Sequence, residues 1–227
     1  MNNQKACQRV TILTVDQDLS DKDYKALIRL VSDEKRDRIQ RYHFYKDAQN
    51  ALLADILARF EICGLAGLRN CELQFSENGH GKPFLLNVPH VQYNLSHSGK
   101  YLAFAVGSKP VGIDVEQIRP IDISIAERFF AREEAEFISK QPISIRLKTF
   151  YEIWTKKESR IKYDGRGLSM DLSSFCVLEA YNGAGGLWYH NIRGLMDDAV
   201  CHVCTEQEES PVHCCITLSA FLSNVLW

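Results

Sequence analysis

The sequence predicts an α+β fold. Two segments with helical periodicity, near residues 45–63 and 145–162, are separated by groups of short β-rich segments that glycine or proline interrupts. With 227 residues, 45% of them hydrophobic, the chain can bury one or two compact cores. We expect an N-terminal subdomain over residues 1–108 and a C-terminal subdomain over residues 109–227, each with a small sheet and a helix.

The elements follow one another in a readable order. In the first half we predict a strand at 10–15, helices at about 20–41 and 45–63, a turn-rich segment at 76–83, and strands at 91–95 and 101–106. In the second half we predict a strand at 111–115, helices at 123–140 and 145–162, and strands at 200–204 and 214–219. The strands from 91 to 115 are expected to be antiparallel. Gly64 is expected to end the second helix.

Composition excludes several classes of protein. Lys plus Arg is 27 and Asp plus Glu is 29, so the net charge of −2 provides no overall field for gripping a nucleic acid. No apolar run approaches the roughly 18 residues that a membrane helix needs, and the first residues lack the pattern of a secretory signal. Eight cysteines without export predict reduced thiols and a cytoplasmic location.

A cluster of cysteines and histidines near the end of the chain raises the question of zinc. Cys201 and Cys204 have the CxxC spacing that is known from zinc sites, and His202, His213, Cys214 and Cys215 lie in the same short region. The cysteines lie in predicted strands, however, where positions i and i+3 point to opposite faces. The spacing therefore favours buried strand cysteines over a zinc site.

Two acids stand two residues apart in a predicted strand. Asp114 and Glu116 would project from the same face, where their charges repel unless a cation or protons intervene. Magnesium prefers carboxylates, waters and phosphate oxygens, so the pair could form half of a magnesium site. A solvated strand face is the alternative.

A helical stripe offers a third acid. Trp154, Glu158 and Lys162 repeat every four residues and so share one face of a helix. Glu158 could complete the metal site and Lys162 could bind a phosphate, with Lys157 near the stripe as a second cation. The alternative is a surface ion pair beside a packing tryptophan, with a solvated Lys157.

Further candidates for phosphate binding lie in the first half. Ser96 and His97 stand where a strand gives way to a turn, and a structural histidine is the alternative reading of His97. Lys35 and Arg38 lie one helical turn apart in a stretch of mixed charge, which allows a single phosphate contact or an ordinary wet face. Lys82 lies in a glycine-flexed loop that is equally consistent with a plain turn.

Four motifs follow one another along the chain: Gly81-Lys-Pro83, Asn94-Leu-Ser-His-Ser98, Gly112-Ile-Asp-Val-Glu116 and Trp154-Thr-Lys-Lys-Glu-Ser-Arg-Ile-Lys162. In this order and spacing they resemble the signature motifs of the 4′-phosphopantetheinyl transferases of the long, single-chain, surfactin-synthetase-activating type. The resemblance extends over about residues 32–175. It implies a monomer of two similar α+β halves related by a pseudo-twofold axis, with coenzyme A in the cleft between them.

The resemblance also implies roles for individual residues. Asp114, Glu116 and Glu158 would bind Mg²⁺, or Mn²⁺ in its place, and Lys162 would hold the pyrophosphate. Ser96, His97 and Lys157 would contact coenzyme A, Lys35 and Arg38 would face its 3′-phosphate, and Lys82 its nucleotide end. Relatives of this type often carry an arginine where Asn50 stands, and Asn50 supplies no cation.

The reaction implied by the resemblance is a group transfer. A serine hydroxyl of an acyl or peptidyl carrier protein attacks the β-phosphorus of coenzyme A, and 3′,5′-adenosine bisphosphate leaves. Asp114, Glu158 and Lys162 are the expected catalytic residues, and either Glu158 or a metal-bound water would accept the serine proton. A noncatalytic coenzyme A or carrier-protein binding module of the same fold is the alternative.

Overall fold

The computed structural model describes residues 8–179, 181–182, 186–195 and 197–225. The strands are β1 (Arg9–Thr14), β2 (Phe75–Glu77), β3 (Pro83–Leu85), β4 (Gln92–Ser98), β5 (Tyr101–Gly107), β6 (Val111–Gln117), β7 (Tyr181–Asn182), β8 (Leu187–Asn191), β9 (Ala199–Thr205) and β10 (Val212–Thr217). The helices are α1 (Asp21–Leu27), α2 (Asp33–Gln40), α3 (Tyr45–Ala66), α4 (Ile125–Phe129), α5 (Arg132–Lys140), α6 (Ile143–Asp164) and α7 (Leu218–Val225). This composition confirms the predicted α+β class.

Two four-stranded sheets organise the described residues. The first has the order β10-β1-β5-β4, and the second has the order β6-β9-β8-β7. The second sheet is antiparallel throughout, whereas β1 pairs in parallel with β10 and antiparallel with β5 in the first sheet. The predicted antiparallel pairing over 91–115 is confirmed for β4 with β5, but β6 pairs with β9 in the other sheet. The short strands β2 and β3 form a separate hairpin around the predicted turn.

The layers stack in the order helix, sheet, sheet, helix. Helix α3 covers the outer face of the first sheet, where Leu52 and Leu57 share a core with Phe104. A second core lies between the sheets, and a third lies between the second sheet and α6. Cys201 belongs to the core between the sheets and Cys204 to the core under α6, which confirms that the two cysteines point to opposite faces.

Two of the predicted helices are divided. Over 20–41 the chain forms α1 and α2, because Ser20 and Ser32 each accept a backbone amide and so begin a helix of their own. Over 123–140 the chain forms α4 and α5, and Glu134 accepts the amide of Ala131 at the start of α5. At the C-terminal end, the predicted strand gives way to helix α7 at Leu218.

The end of the chain returns to the first sheet. Strand β10 adds to β1, and Leu218 and Phe221 of α7 are fully buried in the core under α3. Strand β10 and helix α7 of the predicted subdomain 109–227 therefore pack with the N-terminal half. The division near residue 108 stays a prediction. None of the helices in the described ranges is long and apolar enough to cross a membrane.

Candidate active site

The edges of the two sheets meet at β4 and β6. Three side chains of β4, at every second residue, accept hydrogen bonds from backbone amides of β6. Asn94 Oδ1 accepts from Ile113 at 2.9 Å, Ser96 Oγ from Val115 at 3.3 Å, and Ser98 Oγ from Gln117 at 3.1 Å. Both partners advance by two residues at each step, so the strands run in the same direction. We call these three residues the side-chain ladder. It fixes β4 beside β6 across the junction of the sheets.

The strand β6 presents both predicted acids to the same cavity. Asp114 is buried, and Glu116, two residues further along, is half-buried. Each acid accepts a hydrogen bond from the ladder, Asp114 Oδ1 from Ser96 Oγ at 2.8 Å and Glu116 Oε2 from Ser98 Oγ at 2.6 Å. The prediction that the two carboxylates share one face is confirmed.

Helix α6 approaches β6 closely because residue 112 is a glycine. A Cβ at Gly112 would lie 2.0 Å from the carbonyl oxygen of Ser159 and 2.3 Å from the amide nitrogen of Tyr163. This approach brings Glu158 and Lys162 to the acids of β6. The predicted stripe of α6 faces a cavity of about 410 Å³, which is lined by Leu95, Ser96, His97, Asp114, Glu116, Trp154, Glu158 and Lys162.

Negative charge dominates this cavity. Burial raises the pKa of Asp114, Glu116 and Glu158, and the charge of Asp114 raises the pKa of the two glutamates further. Lys162 opposes this effect, since its ammonium donates to Asp114 Oδ1 at 2.6 Å and to Ser96 Oγ at 2.8 Å. Three acids thus share one lysine, and the cluster favours a ligand that carries positive charge.

The donor set suits a hard divalent cation. The second oxygen of Asp114, Oδ2, is buried, and none of the described residues donates a hydrogen bond to it, which is costly unless a ligand engages it. Within the described ranges, no three His, Cys, Asp or Glu side chains stand close enough together to form a ready-made metal site. The acids fit magnesium by chemistry, and their side chains would have to close around it.

Ser96 is already engaged by the protein. Its Oγ accepts from the amide of Val115 and from Lys162, and it donates its single proton to Asp114. The hydroxyl therefore supports the acid directly, while its predicted contact with coenzyme A stays a prediction. His97, the next residue, is exposed and lines the same cavity.

Lys82 lies at the C-terminal end of α6. Its ammonium donates to the carbonyl oxygens of Lys162 and Tyr163 at 2.6 and 2.9 Å, which satisfies the last turn of the helix. Burial lowers the pKa of Lys82. Lys82 and Lys162 also line a cavity of about 200 Å³ beside the acidic one.

Lys35 and Arg38 lie on α2, away from the acids. Lys35 is 3.8 Å from Asp55 on α3, and the exposed Arg38 is 4.0 Å from Glu77 on β2. Neither residue lines the cavity of the three acids. Their predicted contact with a 3′-phosphate stays a prediction.

The structure contradicts the prediction for Lys157. This side chain is completely buried, and its ammonium lies 2.6 Å from Glu134, which is also completely buried. It donates in addition to the carbonyl oxygens of Leu172 and Phe175. Lys157 follows the stripe residue Trp154 by three positions, but on α6 it turns into the core and is a structural residue, not a coenzyme A ligand.

Sequence reasoning missed the ladder role of Asn94 and Ser98 and the packing role of Gly112. The alternation of polar residues at 94, 96 and 98 was visible, but the strand that they face was not. Gly112 belongs to a recognised motif, but the sequence does not show why a side chain is excluded there. The reason is the backbone of α6, a helix that begins about 30 residues later along the chain.

Comparison with known proteins agrees with this geometry. The family model described as 4′-phosphopantetheinyl transferase, N-terminal, matches residues 18–109, and that of the 4′-phosphopantetheinyl transferase superfamily matches residues 110–216. The 4′-phosphopantetheinyl transferase Sfp of Bacillus subtilis is 36% identical over 72% of this chain and 73% of Sfp. The 4′-phosphopantetheinyl transferase psf-1 of Bacillus pumilus is 39% identical over 75% of each chain. The L-aminoadipate-semialdehyde dehydrogenase-phosphopantetheinyl transferase of Xenopus laevis is 32% identical over 63% of this chain and 52% of its own length. The chain belongs to the 4′-phosphopantetheinyl transferase superfamily.

Proposed function

We propose that the acidic cavity between β4, β6 and α6 is the site at which this enzyme transfers the phosphopantetheine arm. As a member of its family, the chain is a transferase that moves this arm from coenzyme A to a serine of a carrier protein. The other product is 3′,5′-adenosine bisphosphate. The observation that carries the proposal is the meeting of Asp114, Glu116, Glu158 and Lys162 in one cavity.

The cavity has the charges that the reaction needs. Phosphoryl transfer depends mainly on positioning and on the stabilisation of negative charge along the diphosphate. Lys162 is the cation of this chain that would face the diphosphate. Its partner Asp114 keeps it in place, since the two are 2.6 Å apart and Asp114 is buried.

We assign the three acids to Mg²⁺, with Mn²⁺ as a substitute. Asp114, Glu116 and Glu158 would hold the ion, and the buried Oδ2 of Asp114, to which no side chain or amide in the described ranges donates, supports this assignment. When bound, the ion would neutralise charge on the diphosphate. Burial raises the pKa of all three acids, and the charge of Asp114 raises the pKa of the two glutamates further, so their charged forms are stabilised by a bound cation.

We place coenzyme A along the two adjoining cavities. The wall residues Ser96 and His97 would lie at its phosphates, and the loop of Lys82 would lie at its nucleotide end. Lys35 and Arg38 would reach the 3′-phosphate from α2. We propose further that the enzyme acts as a monomer in the cytoplasm.

Mass spectrometry tests the function directly. A carrier protein incubated with the enzyme, coenzyme A and Mg²⁺ should gain about 340 Da, the mass of the arm. Glu158→Gln should reduce the rate at least about 100-fold, because it removes one charge from the proposed ion site. Glu152→Gln is the matched control, since Glu152 lies on the same helix outside the cavity and should leave the rate unchanged. Equal rates for the two variants would show that the site is elsewhere.

A further inference from the structure

We propose that Ser98 is a positioning residue, whose hydroxyl holds the carboxylate of Glu116 in the orientation that faces the acidic cavity. This inference rests on the proposed function of that cavity as a divalent-cation site. Ser98 does not line the cavity and would touch neither coenzyme A nor the ion. It acts through Glu116.

The direction of the hydrogen bonds at Ser98 follows from elementary chemistry. The backbone amide of Gln117 lies 3.1 Å from Ser98 Oγ and can only donate, so the hydroxyl oxygen accepts there. The single hydroxyl proton is then free for Glu116 Oε2, which lies 2.6 Å away. One atom of Ser98 therefore fixes both the strand β6 and the side chain of Glu116.

The side-chain ladder has hydroxyl groups only where an acid stands opposite. Ser96 repeats the arrangement of Ser98, since its Oγ accepts from Val115 and donates to Asp114. The third rung is Asn94, which accepts the amide of Ile113 beside a glycine. Of the three residues of the ladder, the two serines each donate a hydrogen bond to a carboxylate, whereas the side chain of Asn94 accepts a hydrogen bond from a backbone amide.

Glu116 needs such a restraint more than Asp114 does. Asp114 is short, buried and bonded to both Ser96 and Lys162. Glu116 has one more rotatable side-chain bond than Asp114, is only half-buried, and is the second-last residue of β6. Hydrogen bonds that orient a metal-binding carboxylate typically change metal affinity 10- to 100-fold.

The test is direct binding of Mn²⁺ to the free enzyme, followed by the electron paramagnetic resonance signal of unbound Mn²⁺. Ser98→Ala should raise the Kd for Mn²⁺ about tenfold. Ser98→Thr retains the hydroxyl and suits a strand, so its Kd should stay within about twofold of that of the wild type. Asn94→Ala is the matched control, because it removes a rung but frees no carboxylate, and it should leave the Kd within about twofold.

Urea unfolding of each variant measures the loss of the rung itself. Ser98→Ala and Asn94→Ala should both lower the midpoint, and the change in Mn²⁺ affinity should accompany only Ser98→Ala. An unchanged Kd in Ser98→Ala, an equal rise in Asn94→Ala, or no rescue by threonine would each overturn the role of Ser98. If the wild-type enzyme binds no Mn²⁺, the proposed cation site falls first, and this inference falls with it.

Discussion

Gly112→Ala should separate the two elements that form the site. In the wild-type chain, α6 lies so close to β6 that a Cβ at residue 112 would be 2.0 Å from the backbone oxygen of Ser159. Ordinary van der Waals contact begins at 3.4 Å. Because the opposing atoms belong to the helix backbone, no side chain can rotate away, and the helix itself must retreat by about 1.4 Å.

The displacement predicts two magnitudes. Overpacking at a site of this kind costs typically about 1–3 kcal/mol in the free energy of unfolding. A displacement of about 1 Å at reacting groups can cost about 100-fold in rate. Glu158 and Lys162 flank Ser159 on α6 and would move with it away from Asp114. We therefore expect the rate of arm transfer to fall about 100-fold while the protein still folds.

The assay combines urea unfolding with mass spectrometry of a carrier protein. Gly64→Ala in α3 is the matched control, since a Cβ at Gly64 meets no atom of the part of the chain that the structure describes within 4 Å. That control should be more stable than the wild type by up to about 1 kcal/mol, because alanine favours a helix. Transfer at the wild-type rate by Gly112→Ala would refute the argument that this close approach sets the geometry of the site.

Three further predictions concern single charged or titratable groups. Lys157→Met should lower the free energy of unfolding, measured in urea, by about 3–5 kcal/mol, because it leaves the buried charge of Glu134 without a partner cation. The double variant with Glu134→Leu should regain much of that stability. Lys162→Met should lower the rate of transfer about 10²- to 10³-fold, whereas Lys148→Met, on the exposed part of the same helix, should not change it. Burial lowers the pKa of His202 to about 3, from 6.5, so the folded state binds fewer protons than the unfolded state below pH 6.5. Stability from His202 is therefore complete above about pH 6.5 and should fall by roughly 2 kcal/mol by pH 5, and urea unfolding at several pH values should show a shallower fall for His202→Gln.

The sequence predicted what depends on local periodicity. The alternation in β6 placed Asp114 and Glu116 on one face, and the four-residue spacing in α6 placed Glu158 and Lys162 on one stripe. Once β6 and α6 are known to be in contact, these two local patterns are enough to identify the four residues that meet in the cavity. The positions of the predicted strands and of the two long helices agree with the structure to within a few residues. Gly64 does not end its helix as predicted, because α3 continues to Ala66 and Gly67 caps it, and the last predicted strand ends at Thr217.

What the sequence could not predict depends on partners far along the chain. Lys157 differs from a solvated lysine because Glu134, on another helix, meets it in the core. The parallel pairing of β10 with β1 joins segments about 200 residues apart, and no local pattern marks it. Secondary-structure propensity describes the helix or strand to which a residue belongs, but it does not specify which distant segment packs against that element. Long-range contacts of this kind therefore override it.

The junction of the two sheets explains why the site lies where it does. Strands β4 and β6 are both edge strands, and edge strands carry amides that need acceptors. If backbone carbonyls of β4 accepted those amides, the hydroxyls of Ser96 and Ser98 would not be needed there. Because the acceptors are side chains, the same atoms that join the halves also reach the carboxylates of β6. The side chains that join the two sheets at β4 and β6 therefore also hold the acids in place. A substitution in either strand at this junction should change the positions of the carboxylates in the cavity.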